Sequence, residues 1–420
     1  MKIALDTLGC KLNQAETDFL TSQFTEAGHK LVSSVEEADI YILNTCTVTR
    51  ITDAKSRHLL RLAHRRNAKA ILVATGCYAQ RAPQELSRIE GVNLIAGNTE
   101  KANLLRLLRE SGWLDKPIPG QQDYITGYEP ATRTRAFIKI QDGCNNYCSY
   151  CIVPLVRGKE TSLPVDKVLD EIRQRAVSGT REVVLTGTEI GAYDYNGVNL
   201  QGLLENILNK TNVDRIRLSS LQPGEISAEL IGLWREQRLC PHFHLSLQSG
   251  IDSVLKRMKR RYDIDQYQTA ISLIRTMVPD VAITTDIITG FPGETQADFE
   301  ESYELCRQIG FARIHVFPYS TREGTEAAVM PDQIAAKVKR LRNQKLLALA
   351  KESTQSFNQR FSGRTMSILW EQQSGGIWSG HTGNYIKVHT QSDDNLSNEI
   401  LPAKLGKIRA DGVWGEIAGD

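Results

Sequence analysis

The sequence predicts an α/β protein in three parts: an N-terminal parallel-sheet α/β domain, a central partial (β/α)6 barrel and a small C-terminal β-barrel. Three observations predict this class. Short apolar β-type runs alternate with helical stretches near the N-terminus, six further strand-like runs follow at helix-length spacing, and the last segment changes to short β runs with Gly-rich turns. A length of 420 residues also favours several domains, because it exceeds what one core usually supports.

Residues 1–114 are predicted to form the first domain. The strand-like runs KIALDT, ADIYILNT and AILVATG alternate with helical stretches, which is the pattern of βαβ units with a parallel sheet. Residues 115–132 contain three prolines and two glycines and show little periodicity, so we interpret them as a linker.

Residues 133–330 are predicted to form the barrel. Six strand-like runs mark its repeats: AFIKIQ, EVVLTG, RIRLSS, HFHLSLQ, AITTDIITGF and ARIHVFPYS. Residues 331–362 are expected to be a linker helix capped by Asp332, and residues 363–420 a small OB-like β-barrel.

Composition narrows the class of protein. The chain is 41% hydrophobic and 24% charged with a net charge of +2, so it has no global nucleic-acid footprint, and any RNA binding must use local basic patches. The N-terminal MKIALDTLGC lacks the apolar core of a signal peptide, and no apolar run approaches membrane-spanning length. We therefore expect a cytoplasmic protein with no membrane partner, in which clustered cysteines are metal ligands or catalytic groups.

The segment DGCNNYCSYC presents Cys144, Cys148 and Cys151 with CxxxCxxC spacing, just after the first barrel strand. Barrel enzymes place their active sites at that end of the strands. Three thiolates can bind a 4Fe-4S cluster and leave its fourth iron open, where S-adenosylmethionine can be chelated and receive one electron. A structural zinc site and simple buried thiols are the alternatives.

A second set consists of Cys10, Cys46 and Cys77, each of which follows a predicted strand. Near-regular βα spacing should bring all three to one sheet edge, where open α/β sheets bind their ligands. Three converging cysteines would hold an auxiliary 4Fe-4S cluster, although buried core cysteines are the alternative. The remaining two, Cys240 and Cys306, are interpreted as structural.

Taken together, these motifs resemble the methylthiotransferase family of radical S-adenosylmethionine enzymes over nearly the entire chain. TLGCKLNQAETD, LNTCTVT and TGCYAQ match the family's N-terminal domain, QDGCNNYCSYCIVPLVRGKE its radical core, and SGHTGNYIKV its C-terminal TRAM domain. Within the family, LGCKLNQAE, RLSSLQP and LKRMKRRY are most similar to the branch that methylthiolates N6-threonylcarbamoyladenosine beside the tRNA anticodon.

The resemblance implies two 4Fe-4S clusters and two S-adenosylmethionine molecules per turnover. One molecule would methylate sulfur held by the auxiliary cluster at Cys10, Cys46 and Cys77. The second would be cleaved at the radical cluster so that hydrogen is taken from carbon 2 of the adenine. The implied partners are a tRNA anticodon stem-loop and an electron donor such as flavodoxin or ferredoxin, while the sulfur donor stays open.

Further cofactor-binding residues are expected at the barrel strand ends. By resemblance, Tyr150 would border the adenine of S-adenosylmethionine, and Glu189, in TGTEIG, would meet its methionine part. The other candidates are polar residues at predicted strand ends, each of which could instead be a helix cap or a loop hydrogen bonder: Ser220, Gln248, Asp286 and Arg322.

Basic side chains cluster in three places that could contact tRNA phosphates or simply be solvated: Arg57, Arg61, Arg65 and Arg66; Lys256, Arg257, Lys259, Arg260 and Arg261; and Lys337, Lys339, Arg340, Arg342 and Lys345. Residues 364–420, by contrast, carry five Lys/Arg against seven Asp/Glu. There, Trp378 and Tyr385, with His381 and Asn384 nearby, could stack on unpaired bases or fill the barrel core.

Two alternatives to threonylcarbamoyladenosine methylthiolation stay open at this point. Other branches of the same family act on isopentenyladenosine in tRNA or on an aspartate of a ribosomal protein. A non-enzymatic RNA-binding iron-sulfur redox sensor would use its clusters as switches and would need no substrate pocket.

Overall fold

A computed structural model describes residues 1–114 and 134–417. The linker predicted over 115–132 lies outside these ranges. The chain divides into two compact units, which are described separately. The first comprises the described residues of Met1–Ala131 with Asp142–Glu160 and Ser320–Ala328, and the second those of Thr132–Gln141, Thr161–Tyr319 and Val329–Asp420. These units group residues by contact, and the domain boundaries given above stay predictions.

The first unit is built around a parallel sheet. Its strands are β1 (Lys2–Thr7), β2 (Lys30–Leu31), β3 (Ile40–Thr45), β4 (Ile71–Gly76) and β5 (Val92–Ala96). Its helices are α1 (Lys11–Glu26), α2 (Arg50–Arg66), α3 (Cys77–Arg81), α4 (Pro83–Ser87), α5 (Leu104–Glu110) and α6 (Val153–Arg157). All five strands run parallel in the order β2-β1-β3-β4-β5.

The central strand β3 explains why this sheet forms. All its residues are buried, and their side chains alternate between two apolar clusters: Tyr41 and Leu43 belong to one, Ile40 and Ile42 to the other. A strand that is apolar on both faces needs helices on both sides of its sheet, which is the arrangement of parallel α/β sheets. The predicted N-terminal parallel-sheet fold is confirmed.

The second unit contains the barrel strands and the short strands of two two-stranded sheets. They are β6 (Arg135–Lys139), β7 (Gln141–Asp142), β8 (Thr161–Ser162), β9 (Glu182–Thr186), β10 (Asp194–Tyr195), β11 (Val198–Asn199), β12 (Arg215–Leu218), β13 (Ser220–Leu221), β14 (His242–Leu245), β15 (Ala282–Thr289) and β16 (Arg313–Pro318). One parallel sheet has the order β6-β9-β12 and a second the order β13-β14-β15-β16. Only Ser219 separates β12 from β13, so the two sheets continue each other as the predicted partial barrel.

Helices cover these strands: α7 (Val165–Val177), α8 (Leu200–Lys210), α9 (Ala228–Gly232), α10 (Asp252–Arg257), α11 (Ile264–Met277), α12 (Gln296–Ile309) and α13 (Ala336–Gln359). The predicted cap of the last helix is wrong. Asp332 has φ of +57°, in the left-handed region, and α13 begins only after Ala335. Among the helices described, none is both long enough and apolar enough to cross a bilayer.

The C-terminal segment forms a closed barrel. Its strands are β17 (Thr365–Ser374), β18 (Ile377–Thr382), β19 (Lys387–Gln391), β20 (Ile400–Arg409) and β21 (Gly412–Ile417), in the order β17-β18-β19-β21-β20. Trp370 and Trp378 lie in its apolar core. The predicted small β-barrel is confirmed, and its closure removes the exposed edges that an open sheet would present.

A buried charge network joins three barrel strands to the C-terminal barrel. Glu182 on β9 is fully buried and forms ion pairs with Arg217 on β12 at 2.8 Å and Arg135 on β6 at 2.7 Å. The Arg217 guanidinium lies 4.0 Å from the ring centre of Tyr385, and Arg135 pairs with Glu371 of β17 at 2.7 Å. Burial alone would raise the pKa of Glu182, but the two guanidinium groups hold it far below its usual value.

Replacement of Arg217 by Met should therefore destabilise the second unit. A buried carboxylate that loses one partner costs about 3–5 kcal/mol, measurable as the free energy of unfolding in urea. Because the folded-state pKa of Glu182 is lowered, the stability it contributes is present at neutral pH and is lost as pH falls below about 4.5.

The matched control is Arg173→Met. Its partner Asp170 and Arg173 itself are both solvent-exposed, so this variant should change the free energy of unfolding by less than about 1 kcal/mol. Equal losses in the two variants would contradict the structural role assigned to Glu182.

Candidate active site

Cys10, Cys46 and Cys77 follow the carboxyl ends of three neighbouring strands, β1, β3 and β4. Cys10 immediately precedes α1, and Cys77 is the first residue of α3. Cys46 and Cys77 are buried, whereas Cys10 is exposed. Adjacent parallel strands end at the same sheet edge, so the structure brings these three side chains together, as the spacing predicted. Their role as ligands stays a prediction.

Two glycines allow the backbone to approach this edge closely. Gly9 has φ of +106°, and a Cβ atom there would lie 2.8 Å from the sulfur of Cys46. Gly76 has φ of +95°, and its Cβ would lie 2.6 Å from the carbonyl oxygen of Thr45. Any larger residue would push Cys10 or Cys77 away from Cys46, which is why glycine precedes both cysteines.

Asn13 fastens the loop that carries Cys10. It is fully buried, and its Nδ2 donates to the carbonyl oxygens of Leu8 at 2.7 Å and Thr45 at 3.0 Å. Its own carbonyl accepts from Asn44 Nδ2 at 2.9 Å. Leu8 precedes Cys10 by two residues and Thr45 adjoins Cys46, so one amide side chain fixes the relative positions of two of the cysteines.

The thiols of Cys46 and Cys10 resist ionisation. Burial raises the pKa of Cys46 to about 11, and the neighbouring Cys77 and Cys10 act in the same direction. Cys10 is exposed by surface area, yet enough protein surrounds it that desolvation raises its pKa. The positive charge of Arg157 acts in the opposite direction. These thiols are therefore protonated at neutral pH, and binding of metal there must release protons.

Arg157 connects this edge to the segment that carries the other cysteines. Its side chain is 3% exposed and pairs with Glu16 of α1 at 3.0 Å and with Asp142 at 2.9 Å. Its Nη2 also donates to Asn13 Oδ1 at 2.6 Å. Glu16 is shared with the buried Lys101 at 2.6 Å. The segment 142–160 is thus held to α1 within the first unit.

The CxxxCxxC loop is shaped by its own backbone. Gly143 has φ of +70°, and a Cβ there would lie 2.0 Å from the Lys159 carbonyl oxygen. The amide of Cys144 donates to the Gly158 carbonyl at 3.2 Å, and that of Cys151 donates to the Cys148 carbonyl at 2.9 Å. The loop therefore curls into a turn whose two ends are tied together.

The same loop packs against the N-terminal cysteines. Ile152 and Val156, which follow the third cysteine of the motif, form an apolar cluster with Cys77. Asn98 Nδ2 donates to the sulfur of Cys77 at 3.4 Å and to the Val156 carbonyl at 2.8 Å. The two cysteine sets consequently lie in one compact unit, although the predicted domain boundaries place them in two different domains.

Both sets have the chemistry that an iron-sulfur cluster requires. Each supplies three cysteine sulfurs, and N–H donors reach one sulfur of each set, from Asn98 to Cys77 and from the amide of Asn146 to Cys144. Such hydrogen bonds tune cluster potentials. Within 1–114 and 134–417, no three His, Cys, Asp or Glu residues are spaced to hold one metal ion. Cluster cysteines bind different irons, so single-ion spacing is not needed.

In the second unit, Glu189 lies in a polar network at the carboxyl end of β9. The side-chain oxygen of the buried Gln141 accepts the amides of Thr188 and Glu189, both at 2.9 Å, which fixes the turn. The Glu189 carboxylate accepts a hydrogen bond from Gln222 Nε2. Gln222 in turn accepts from Arg260 Nη2 at 3.1 Å.

A second carboxylate, Glu225, adjoins Glu189. Burial raises the pKa of Glu225 to about 8, and the Glu189 carboxylate acts in the same direction. A Cβ at Gly191 would lie 1.8 Å from Glu225 Oε2, so the TGTEIG motif needs glycine there to admit this side chain. The raised pKa favours the protonated form of Glu225 near neutral pH.

Gln248 and Asp286 are neighbours, but only Gln248 lies beyond a strand end, that of β14. Asp286 lies within β15, three residues before its last residue, so its predicted position at a strand end is wrong. The amide of Gln248, which has φ of +65°, donates to the Asp286 carbonyl at 2.8 Å. Asp286 Oδ2 accepts from Ser246 Oγ at 3.0 Å and lies 3.1 Å from His244 Nε2. Burial alone would raise the pKa of Asp286, but the hydrogen bond and charge of His244 lower it. Asp286 thus faces a polar group of barrel side chains, and the backbone of Gln248 is fixed beside it.

The remaining candidates for cofactor binding differ in burial and lie in different units. Ser220 is exposed at the start of β13, and Tyr150 is partly buried in the cysteine loop of the first unit. Arg322 is also in the first unit, where its buried guanidinium pairs with Asp53 at 2.7 Å and donates to the Thr47 carbonyl at 2.8 Å. This contact makes Arg322 a positioning residue for the loop after Cys46, while its cofactor contact stays a prediction.

Base stacking by the C-terminal aromatics is contradicted. Trp378 is only 6% exposed and lies in the barrel core. Tyr385 stacks on Arg217, His381 bonds to Glu371 at 2.7 Å, and the buried Asn384 donates to the Asp280 carbonyl at 3.0 Å. The alternative, that these side chains pack inside the protein, is the correct one. A barrel this small needs its large side chains to fill its core and to contact neighbouring parts of the second unit.

Sequence reasoning singled out neither Arg157 nor Asn13, Asn98 or Glu225. Arg157 and Asn13 stand inside the quoted motifs CIVPLVRGKE and CKLNQAE, so proximity to a cysteine was the only available signal. Asn98 and Glu225 lie outside every motif and become visible only through their contacts.

Comparison with known proteins is consistent with this architecture. Residues 138–306 match the model of the radical SAM superfamily, and residues 2–97 match that of the uncharacterized protein family UPF0004. The fold is similar to that of the solved radical S-adenosylmethionine methyltransferase TsrM from Kitasatospora setae. That likeness has a TM-score of 0.55 at 13% identity and covers 85% of this chain and 90% of TsrM. Fold and cysteine loop thus define a radical S-adenosylmethionine enzyme, a class that implies a 4Fe-4S cluster and S-adenosylmethionine.

Curated relatives cover nearly the whole chain. The threonylcarbamoyladenosine tRNA methylthiotransferase MtaB of Aquifex aeolicus is 38% identical over 92% of this chain and 96% of its own length. MtaB of Bacillus subtilis is 36% identical over 96% and 94%. The tRNA-2-methylthio-N(6)-dimethylallyladenosine synthase of Endomicrobium trichonymphae is 32% identical over 99% and 100%. The chain belongs to the radical S-adenosylmethionine tRNA methylthiotransferase family.

Replacement of Gly9 by Ala should lower the iron bound after anaerobic reconstitution, because the new methyl group would displace Cys46 or Cys10. Gly28→Ala is the matched control. Gly28 has φ of +80° but nothing lies within 4 Å of its Cβ position, so that variant should have the backbone strain without the clash. Iron content that falls equally in both variants would contradict the close-approach argument.

Proposed function

We propose that the chain is a tRNA methylthiotransferase that converts N6-threonylcarbamoyladenosine beside the anticodon to its 2-methylthio derivative. The observation that carries the proposal is the convergence of two three-cysteine sets in one compact unit, joined through Arg157 and Cys77. A redox sensor would need a cluster but no second set held beside the first. The proposal includes a cytoplasmic location, where tRNA is found and thiols stay reduced.

The substrate is inferred from the relatives. Four of them, at 35–38% identity, bear the MtaB name, whereas relatives named as dimethylallyladenosine synthases are at 31–32%. The difference favours threonylcarbamoyladenosine over isopentenyladenosine as the modified base. Action on a ribosomal-protein aspartate is less favoured, since all of these names refer to tRNA.

The cysteines of the first unit would hold two clusters with different roles. Two S-adenosylmethionine molecules would be used per turnover. Cys144, Cys148 and Cys151 would hold the cluster that opens S-adenosylmethionine, and Cys10, Cys46 and Cys77 the one that carries the sulfur to be transferred. When bound, the first supplies an electron, and the second supplies sulfur. Arg157, Asn13 and Asn98 keep the two sets in register.

The residues of the second unit would bind and orient the cofactor. Gln141 holds the turn that presents Glu189, and Gln222 and Glu225 keep that carboxylate in place. A carboxylate held in this way suits the amino group of S-adenosylmethionine. Gln248, Asp286 and Ser220 would add further polar contacts from the barrel strands and the loops between them. The electron would come from a donor such as flavodoxin or ferredoxin.

Replacement of one cysteine in each set tests whether the two sets hold separate clusters with different roles. Wild type should bind about eight irons per chain, and Cys46→Ala and Cys148→Ala about four each. Only Cys148→Ala should abolish reductive cleavage of S-adenosylmethionine, while both should lose methylthio transfer. Cys306→Ala removes a buried thiol outside both sets and should match wild type. A wild-type chain that reconstitutes with only four irons would refute the two-cluster proposal.

Substrate choice can be read directly with two anticodon stem-loops that differ only in the adenosine modification. We expect the purified, reconstituted enzyme to methylthiolate the loop with N6-threonylcarbamoyladenosine, detected by mass spectrometry of the nucleosides. The loop with isopentenyladenosine should remain unchanged. The opposite selectivity would move the chain to the isopentenyladenosine branch without changing its reaction class.

A further inference from the structure

The outer face of α2 carries positive charge and no exposed negative charge. Its exposed charged residues are all basic: Arg50, Lys55, Arg61, Arg65 and Arg66. The single acidic residue of the helix, Asp53, is 3% exposed. It points inward and pairs with Arg81 at 3.2 Å and Arg322 at 2.7 Å. No acidic side chain on the surface of the helix therefore neutralises its positive charges.

Four of these cations have no structural task for their side chains. Within the part of the chain that the structure describes, Arg50, Lys55, Arg61 and Arg65 form neither an ion pair nor a side-chain hydrogen bond. Arg66, by comparison, lies 3.5 Å from Glu36. Unpaired cations gathered on one face repel one another, and an anionic partner would relieve that repulsion.

The two other basic clusters differ in this respect. In α13, Arg342 is buried against Glu294 at 2.6 Å, and Lys345 pairs with Glu300. In the cluster at 256–261, Arg257 donates to the Gly293 carbonyl at 3.1 Å, and Arg260 donates to Gln222. Several cations of these clusters hold the barrel together, which leaves fewer of them to meet a ligand.

The spacing along α2 suits an extended polyanion. Arg50, Arg61 and Arg65 are separated by 11 and 4 residues, which are close to whole numbers of helical turns, so they lie on one side. They span about 22 Å along the axis, at 1.5 Å per residue. A nucleic-acid backbone offers a row of phosphates over such a distance, whereas a small anion would meet one cation at a time.

The helix is also fixed relative to the auxiliary cysteine set. It begins four residues after Cys46, with a reciprocal capping box between Thr49 and Thr52. The intervening Thr47 donates to Asp53 at 2.6 Å, and its carbonyl accepts from Arg322 at 2.8 Å. A ligand held along α2 is therefore held in a defined position relative to Cys46.

We propose that the outer face of α2, defined by Arg50, Arg61 and Arg65, binds the phosphates of the tRNA anticodon stem-loop. The inference rests on the proposed tRNA substrate. It assigns an electrostatic contact to the N-terminal sheet unit, whereas the C-terminal barrel segment carries more acidic than basic residues and has Trp370 and Trp378 in its apolar core.

The test compares full-length wild type with R50Q/R61Q/R65Q and with K167Q/K210Q/R235Q. The control variant removes the same charge from exposed residues of the second unit. Binding of a fluorescent anticodon stem-loop bearing N6-threonylcarbamoyladenosine is measured by anisotropy over a series of KCl concentrations. Glutamine keeps helix propensity, and matching circular dichroism spectra confirm folding.

We expect the α2 variant to weaken RNA binding about tenfold or more and to reduce the slope of log affinity against log salt by about 2 to 3. The control should stay within about twofold of wild type. R50K/R61K/R65K should restore the slope, because phosphate attraction needs the charge and not the guanidinium.

Three outcomes would overturn the assignment. Equal RNA binding by wild type and the α2 variant would remove the inference but leave the proposed function standing. Loss of reduction by an acidic flavodoxin with unchanged RNA binding would make α2 a surface for the electron donor. A wild-type chain that binds no RNA would end both the inference and the proposed tRNA substrate.

Discussion

One buried guanidinium, that of Arg157, is the interaction on which the first unit depends. Removing a cation from water is costly unless its donors find acceptors, and a partly satisfied buried charge is worse than none. Arg157 meets the condition through Glu16, Asp142 and Asn13. Two of these partners lie on the helix that follows Cys10, and the third precedes the CxxxCxxC loop. Their geometry therefore fixes both cysteine sets at once.

The same charge also acts on the chemistry of the site. The Arg157 guanidinium opposes the desolvation that raises the pKa of Cys10, so it favours the thiolate that a metal needs. Lys101 shares Glu16 with Arg157, and burial lowers the pKa of this lysine while Glu16 opposes the shift. The positive charges of Arg157 and Lys101 and the negative charges of Glu16 and Asp142 thus compensate one another beside the sheet edge. Folding and ligand chemistry are linked there through one carboxylate.

The parts of the fold that sequence could predict are those set by local pattern. The apolar run Ile40–Leu43 of β3 predicts a parallel sheet, and three cysteines that each follow a strand predict a shared edge. The packing of the CxxxCxxC loop with that edge could not be predicted, because the contact of Arg157 with Glu16 spans 141 residues. Asp332 is a good capping residue by type, yet its left-handed backbone removes it from the helix. Long-range pairing and backbone conformation decided these cases.

The roles of the charged residues are another property that the sequence alone could not predict. A net charge of +2 says little about partners, because the chain uses its arginines in two opposite ways. Arg217 and Arg342 are buried against single carboxylates and contribute to packing, so they offer little field to the outside. Arg61 and Arg65 lie exposed on a helix whose only acidic residue faces inward, so their field is uncompensated. Residue counts treat these four alike, and only burial and pairing distinguish a structural cation from one that can meet a polyanion.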